Sequence, residues 1–299
     1  MIKKIDNTSK LFKKLKISPS FLNNNQKKLL KNEGFLIFRS NQFLKKNILK
    51  FRREIDKLID KEGDKGGWEG KKKYYKKGKL FEPGTNRLGN LIEKNLLFSK
   101  LILMPEILAT AKEIIQDDIK VCGLNYREPK FKQGNQKIHM DWKPRKSKKE
   151  NFAGIVAMVF FDDTSKENGA TRLIPGSHKK IGWPNKYINI NKRHKNEFIP
   201  NIKAGDFIVC NLNLWHAGAP NKNGARRRMI MINIKNRKFP QLLNYKKFLS
   251  IKSKRKLTNE LKYLLAVRDK DLTQTSDSIG VGKYYKKDFY LNKNVDRKH

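Results

Sequence analysis

The spacing of apolar residues changes along the chain. Over residues 41–62, Leu44, Ile48, Phe51, Ile55, Leu58 and Ile59 recur at helical intervals, which predicts an amphipathic helix with a Lys/Arg-rich outer face. Upstream, residues 1–17 read as a basic, flexible lead-in. Ser18-Pro19-Ser20 reads as a helix start, Gly34 as the left-handed residue closing that helix, and residues 35–38 as a short buried strand. The pattern fails over 63–90, where glycines and lysines surround Trp68, Phe81 and Arg87, a texture suited to a lid over a pocket. Residues 91–118 return to helix, broken near Pro105, with Ile107, Leu108, Ile114 and Ile115 inward.

From residue 119 the texture is one of short strands and turn signals. Residues 119–127 form the first. The almost unbroken apolar run 152–161 predicts a strand covered on both faces. Asn168-Gly169 is a hairpin signal, and Pro175-Gly176 fits the centre of a type II turn. Residues 207–212 and 229–234 are further strands. Strands this short and close predict a sandwich or small barrel. A polar linker and one more helix follow, marked by Leu257, Leu261, Leu264 and Leu265, and then a tail from residue 271 without a placeable pattern. The expected class is α+β with a mainly β core over 119–237. Helical support over 18–118 (with 63–90 as lid) and a helical extension over 238–299 complete a single domain.

Composition narrows the partners. With 299 residues the chain can bury one large core. Cys122 and Cys210 each sit in an apolar run, so buried free thiols and a reducing, cytoplasmic setting are expected. The first residues lack the apolar core of a signal peptide, and no apolar run reaches the roughly 18 residues that would span a bilayer. The net charge of +41 suggests nucleic acid at first. Lysine far outnumbers arginine, however, is scattered over the whole length and accompanies abundant Asn and Ile, so codon composition accounts for it and nucleic acid is not the expected partner. Phosphate-cradling glycine loops, CxxC pairs and nucleophile elbows are missing.

The candidate chemistry lies in Lys137-Ile138-His139-Met140-Asp141-Trp142 and, far downstream, Leu214-Trp215-His216. Residues two apart on an extended strand point the same way, so His139 and Asp141 present an imidazole and a carboxylate to one point. If a neighbouring strand brings His216 there, two His and one carboxylate bind one face of an ion and leave the other open, the preference of non-haem Fe(II) that must also bind a cosubstrate and O2. An isolated HxD is common, so its context decides. Alternation separates Arg227, on one face with Met229 and Met231, from Arg226 and Arg228.

That context resembles a known family. His139-Met-Asp141, then Asn168-Gly169-Ala170-Thr171-Arg172-Leu173-Ile174-Pro175-Gly176-Ser177-His178, Ala204-Gly205-Asp206, His216 and an arginine beyond it are similar to the phytanoyl-CoA dioxygenase family of Fe(II)/2-oxoglutarate oxygenases, over roughly residues 18–237. The resemblance implies a double-stranded β-helix, a jelly-roll barrel with iron at its mouth bound by His139, Asp141 and His216. It implies 2-oxoglutarate as cosubstrate and O2 as oxidant. The family's arginine lies about eleven residues after the distal His, which selects Arg227 for the far carboxylate of 2-oxoglutarate. Asn125 and Gln136 match positions that can touch the cosubstrate in relatives, Thr171 lines the same wall, and His178 is a turn-packing or rim residue. Met158 stands where some relatives place a large aromatic. Asp141 argues against halogenating members, which replace that carboxylate.

The implied reaction is hydroxylation of an aliphatic C–H in a small-molecule substrate, with Trp142, residues 143–150 and the 63–90 segment as rim and lid. Basic residues there suit an anionic substrate. One alternative is an oxidative demethylase of nucleic acids, which would carry an AlkB-like RxNxTxR pattern that residues 226–237 do not supply. The other is a non-catalytic basic barrel used for binding. Neither substrate identity nor oligomeric state is written in the sequence.

Overall fold

The computed structural model describes residues 5–63, 66–67 and 82–269. Its first helix, α1 (Thr8–Leu15), falls where a flexible lead-in was expected. Asn7 caps it by accepting from Lys10 N–H at 2.9 Å, and Leu11 is fully buried, so two features outweigh the lysines around them. α2 (Asn24–Glu33) starts later than Ser18, because Asn23 and Gln26 form a reciprocal capping box; Gly34 closes it at φ +86°. α3 (Gln42–Glu62) buries Leu44, Phe51, Ile55 and Leu58, four of the six stripe positions. The expected break near Pro105 is there: one helix ends at Ile102, and Pro105 opens the next (Pro105–Ile115), its missing N–H costing nothing in the first turn.

The strands among the described residues are, in chain order, β1 (Phe35–Phe38), β2 (Thr85–Leu88), β3 (Ile119–Pro129), β4 (Gly154–Phe160), β5 (Thr171–Leu173), β6 (Phe207–Asn211), β7 (His216–Gly218) and β8 (Met229–Asn236). Six form one antiparallel sheet in the order β1-β6-β4-β8-β3-β2, and β5-β7 form a second. The two sheets pack face to face in the jelly-roll manner without closing into a continuous barrel among the described residues. Between them lie Val156, Met158, Phe160, Ile208, Cys210 and Met229 from the large sheet and Leu173 from the small one. The alternate residues Ile155, Ala157 and Val159 face the helical layer with Phe51, Ile107 and Leu108. Every position of β4 is buried, as its unbroken apolar run requires.

Several loops differ from expectation. Asn168-Gly169 is no hairpin: it turns the chain from β4 in one sheet to β5 in the other, with Asn168 Nδ2 donating to Asp163 O. Pro175-Gly176 is the expected type II turn, with Gly176 at φ +74° and Ser177 N–H bonded to Ile174 O. Within 63–90, residues 85–88 form β2; Trp68, Phe81 and most of the expected lid lie outside the described residues. After β8 the described residues form three short helices, Tyr245–Phe248, Ile251–Lys256 and Asn259–Leu264, where one was expected. Leu257 is buried between the last two. The tail from residue 271 also lies outside the described residues. Cys122 and Cys210 are buried free thiols.

Candidate metal centre

His139 and His216 oppose each other across a single antiparallel bridge, each donating its backbone N–H to the other's carbonyl, at 2.9 and 2.8 Å. The HxD segment was expected on a strand; it is extended, but this one bridge is its pairing. Directly opposed residues project to the same side of a sheet, and the two rings stand 4.4 Å apart between centroids. Asp141, whose N–H bonds to Leu212 O, sends Oδ1 to 4.0 Å from His139 Nε2 and Oδ2 to 3.8 Å from His216 Nε2. One donor atom from each residue lies within 4.8 Å of the other two. A single divalent ion can span that spacing.

Two backbone carbonyls choose the tautomer of the neutral rings. His139 Nδ1 lies 2.8 Å from Lys137 O and His216 Nδ1 lies 2.9 Å from Leu214 O. A carbonyl only accepts, so each Nδ1 carries a hydrogen, and in the neutral ring each Nε2 is left with a lone pair for the centre. Both restraints are local, each ring bonding the carbonyl two residues before it.

The Pro-Gly-Ser-His turn holds the distal histidine from behind. Ser177 Oγ accepts from Trp215 N–H at 2.8 Å and donates to Ile174 O at 2.6 Å, while Ile174 N–H bonds to Trp215 O. The backbone just before His216 is therefore fixed on both of its polar groups. His178 serves packing, as expected: its ring fills the space beside Gly34, where a Cβ would come 2.4 Å from Nδ1, and stacks near Phe152. Burial pulls its pKa down to about 4, against the opposing pull of Lys31 O on Nε2.

On the inner face of the large sheet, Arg227 is sealed in, at 1% exposure. Its NH1 lies 3.2 Å from Met229 Sδ, its Nε has no hydrogen-bond partner, and it forms no ion pair among the described residues. Burial, with Arg127 nearby, lowers its pKa to about 9. Its neighbours in sequence are the opposite case. Arg226 pairs with Glu128 and Asp56, and Arg228 with Asp162 and Asp56, on the outer side. A buried guanidinium that lacks an acid among the described residues, beside two that have theirs, has its charge free to meet an anion from outside.

The remaining expected residues divide. Asn125 lies on the inner face opposite Met231, and its amide makes no hydrogen bond among the described residues, so it is available to a ligand. Thr171 opposes Gly218 on the small sheet and touches Met158 Sδ at 3.8 Å. Gln136 is committed to the framework: Oε1 accepts from Gly218 N–H at 2.9 Å and Nε2 reaches Glu82 at 3.4 Å. Trp142 is not a rim residue. It is buried in the inner cluster against Phe239, with the ammonium of buried Lys235 4.0 Å from its ring centroid. Sequence reading also missed Arg127 and Glu82, which meet beside Gln136. Their 45-residue separation carries no pattern.

Comparison with known proteins agrees with this architecture. The sequence model of the family described as "Phytanoyl-CoA dioxygenase (PhyH)" matches residues 30–229. An uncharacterized protein of Mycobacterium tuberculosis is 30% identical over 94 residues, and another of Mycobacterium bovis matches to the same extent. These matches cover 31% of this chain and span about a third (33%) of those curated relatives. Among solved structures, HygX from Streptomyces hygroscopicus with nickel and 2-oxoglutarate bound has a TM-score of 0.57 at 16% identity, covering 73% of this chain and 88% of that one. EctD from S. alaskensis with bound Fe has a TM-score of 0.56 at 16% identity, covering 73% and 78%. At these identities the likeness is one of fold.

Proposed function

The chain belongs to the phytanoyl-CoA dioxygenase family, and from that premise we propose that it is an Fe(II)/2-oxoglutarate-dependent oxygenase hydroxylating an aliphatic C–H of a small-molecule substrate. The family is one of oxygenases that use iron, 2-oxoglutarate and O2. The aliphatic target and the roles of individual residues are our reading. In it His139, Asp141 and His216 would hold the iron, and Arg227 would take the far carboxylate of 2-oxoglutarate, with Asn125 beside it on the large sheet, Thr171 facing from the small one and Gln136 steadying Gly218.

When bound, iron and 2-oxoglutarate supply the oxidation: one oxygen atom of O2 enters the substrate C–H and the other enters succinate, with CO2 released. The chain's own work is positioning. The carbonyls of Lys137 and Leu214 hold the two imidazoles in the tautomer that ligates. Met158, Met229 and Leu173 keep the inner wall apolar, which excludes water from an oxidising centre. A reducing, cytoplasmic setting belongs to the same proposal and suits the free Cys122 and Cys210. No helix among the described residues is long and apolar enough to cross a membrane.

The observation that carries the reading is Arg227, a sealed guanidinium on the inner face of the large sheet without an acid partner among the described residues. A purely structural barrel would gain by replacing it with an apolar residue. The test is anaerobic addition of Fe(II) and 2-oxoglutarate to the purified protein. A visible charge-transfer band is expected in the wild type and none in His139→Ala. A metal-replete wild type with a flat visible spectrum would overturn the proposal.

A further inference from the structure

Arg127 is the second buried guanidinium of the inner wall and, unlike Arg227, it is covered. It lies on β3 opposite Met229 and is 3% exposed. Glu82, from the loop before β2, covers it: Oε1 accepts from Nε at 3.0 Å and from NH2 at 2.8 Å, and Oε2 lies 3.3 Å from Nε. The Glu82 side chain is 28% exposed, so the acid is reachable from solvent while the base beneath it is not.

The other edge of the same guanidinium faces the metal centre. Gly218 shares the inward side of β7 with His216, two residues away, and has no side chain to occupy it. A Cβ there would come 3.2 Å from Arg127 NH1 and 3.0 Å from Gln136 Oε1. NH1 itself makes no hydrogen bond among the described residues. Two buried guanidiniums, Arg127 and Arg227, therefore lie on the inner face of the large sheet; the carboxylate hydrogen-bonded to Arg127 is Glu82, which it shares with Arg87 at 3.3 Å. 2-Oxoglutarate brings an acid for Arg227 only.

We propose that Arg127 receives a carboxylate of the primary substrate, and that Glu82 holds that place until the substrate's carboxylate displaces it. The inference rests on the iron and 2-oxoglutarate reading and adds a substrate class to it. Glu82 already displays the ligand chemistry, a carboxylate set against a guanidinium fork. An ammonium group would have to compete with that fork for Glu82, so amines are disfavoured. The two-residue step from Gly218 to His216, roughly 7 Å of strand, sets the distance between the anchored carboxylate and the reacting carbon at several bonds.

The test uses the full chain with Fe(II) and saturating 2-oxoglutarate under anaerobic conditions. The visible band is recorded first and reports on the iron reading by itself. Calorimetric titrations with hexanoate, hexylamine and 1-hexanol follow. Hexanoate is expected to bind at least tenfold more tightly than the other two. Glu82→Gln, which removes the competing charge, should tighten hexanoate at least tenfold, and Arg127→Met should weaken it at least tenfold while 2-oxoglutarate affinity stays within threefold. With the band intact, preference for hexylamine, an unchanged hexanoate affinity in Glu82→Gln, or an Arg127→Met effect falling on 2-oxoglutarate instead would overturn the assignment. Glu82→Gln, at a half-buried loop position, keeps the test decisive if Arg127→Met fails to fold.

Discussion

Replacing Arg227 by methionine should have opposite effects on the empty and the loaded protein. Burial lowers its pKa from the ordinary arginine range to about 9, so holding the charge inside the fold costs several kcal/mol, on the order of 1.36 kcal/mol per pKa unit. A folded-state value below the unfolded one means that the proton opposes folding. The penalty is complete at pH 7, below both values, and is relieved only as pH rises past about 9. Relaxation around the charge reduces the recoverable part, and exchange of buried charges for apolar residues returns about 1–4 kcal/mol in practice. Arg227→Met should therefore raise the stability of the ligand-free protein by about 1–3 kcal/mol, at roughly 2–4 °C in Tm for each. The same change leaves the far carboxylate of 2-oxoglutarate buried without a partner. That should cost about 3 kcal/mol of binding, roughly a 150-fold rise in Kd. Thermal unfolding at pH 7 with and without 2-oxoglutarate, and calorimetric titration of the Fe(II)-loaded protein, read the two effects separately. A variant that is less stable when empty and binds 2-oxoglutarate as the wild type does would show that Arg227 is compensated within the fold, and the reasoning would fail.

Two further outcomes test the frame around the centre. His178, neutral and buried with a pKa of about 4 against 6.5 when unfolded, contributes stability that is whole above pH 6.5 and lost as pH falls through 4, at most about 3 kcal/mol; urea unfolding of His178→Phe at pH 7 and pH 4 should lose that part of the pH dependence, and an undiminished difference would contradict the assignment. Ser177→Ala strips the Trp215 N–H of its partner and should cost about 1–3 kcal/mol of stability, with Fe(II) affinity falling about tenfold by competition titration, whereas unchanged affinity would show that the turn does not position His216.

The sequence discloses elements whose signal is local and repeated. The stripe of α3 and the unbroken run of β4 are visible because many residues agree on one burial pattern. The three-residue strands β5 and β7 are too short for any period, and their identity comes from pairing with each other. α1 is hidden by its lysines, since a single buried Leu11 and one capping Asn7 outweigh them only once the body of the protein is there to pack against. The site shows the same division. HxD spacing and strand alternation separate Arg227 from Arg226 and Arg228 in advance, while the acids that claim Arg226 and Arg228, Asp56 and Asp162, come from distant elements and follow no rule of spacing. Trp142 was misplaced because an aromatic beside an HxD says nothing about which way its ring turns.

β1 has a consequence for how this protein fails. It forms the outer strand of the large sheet and hydrogen-bonds to β6 over Phe35–Phe38. Stripped of its first forty residues, the chain would keep its three donor side chains and the pairing of β6 with β4, but the other edge of Phe207–Asn211 would lie bare, an invitation to any second molecule with the same naked edge. The N-terminal segment is in that sense a guard against self-aggregation.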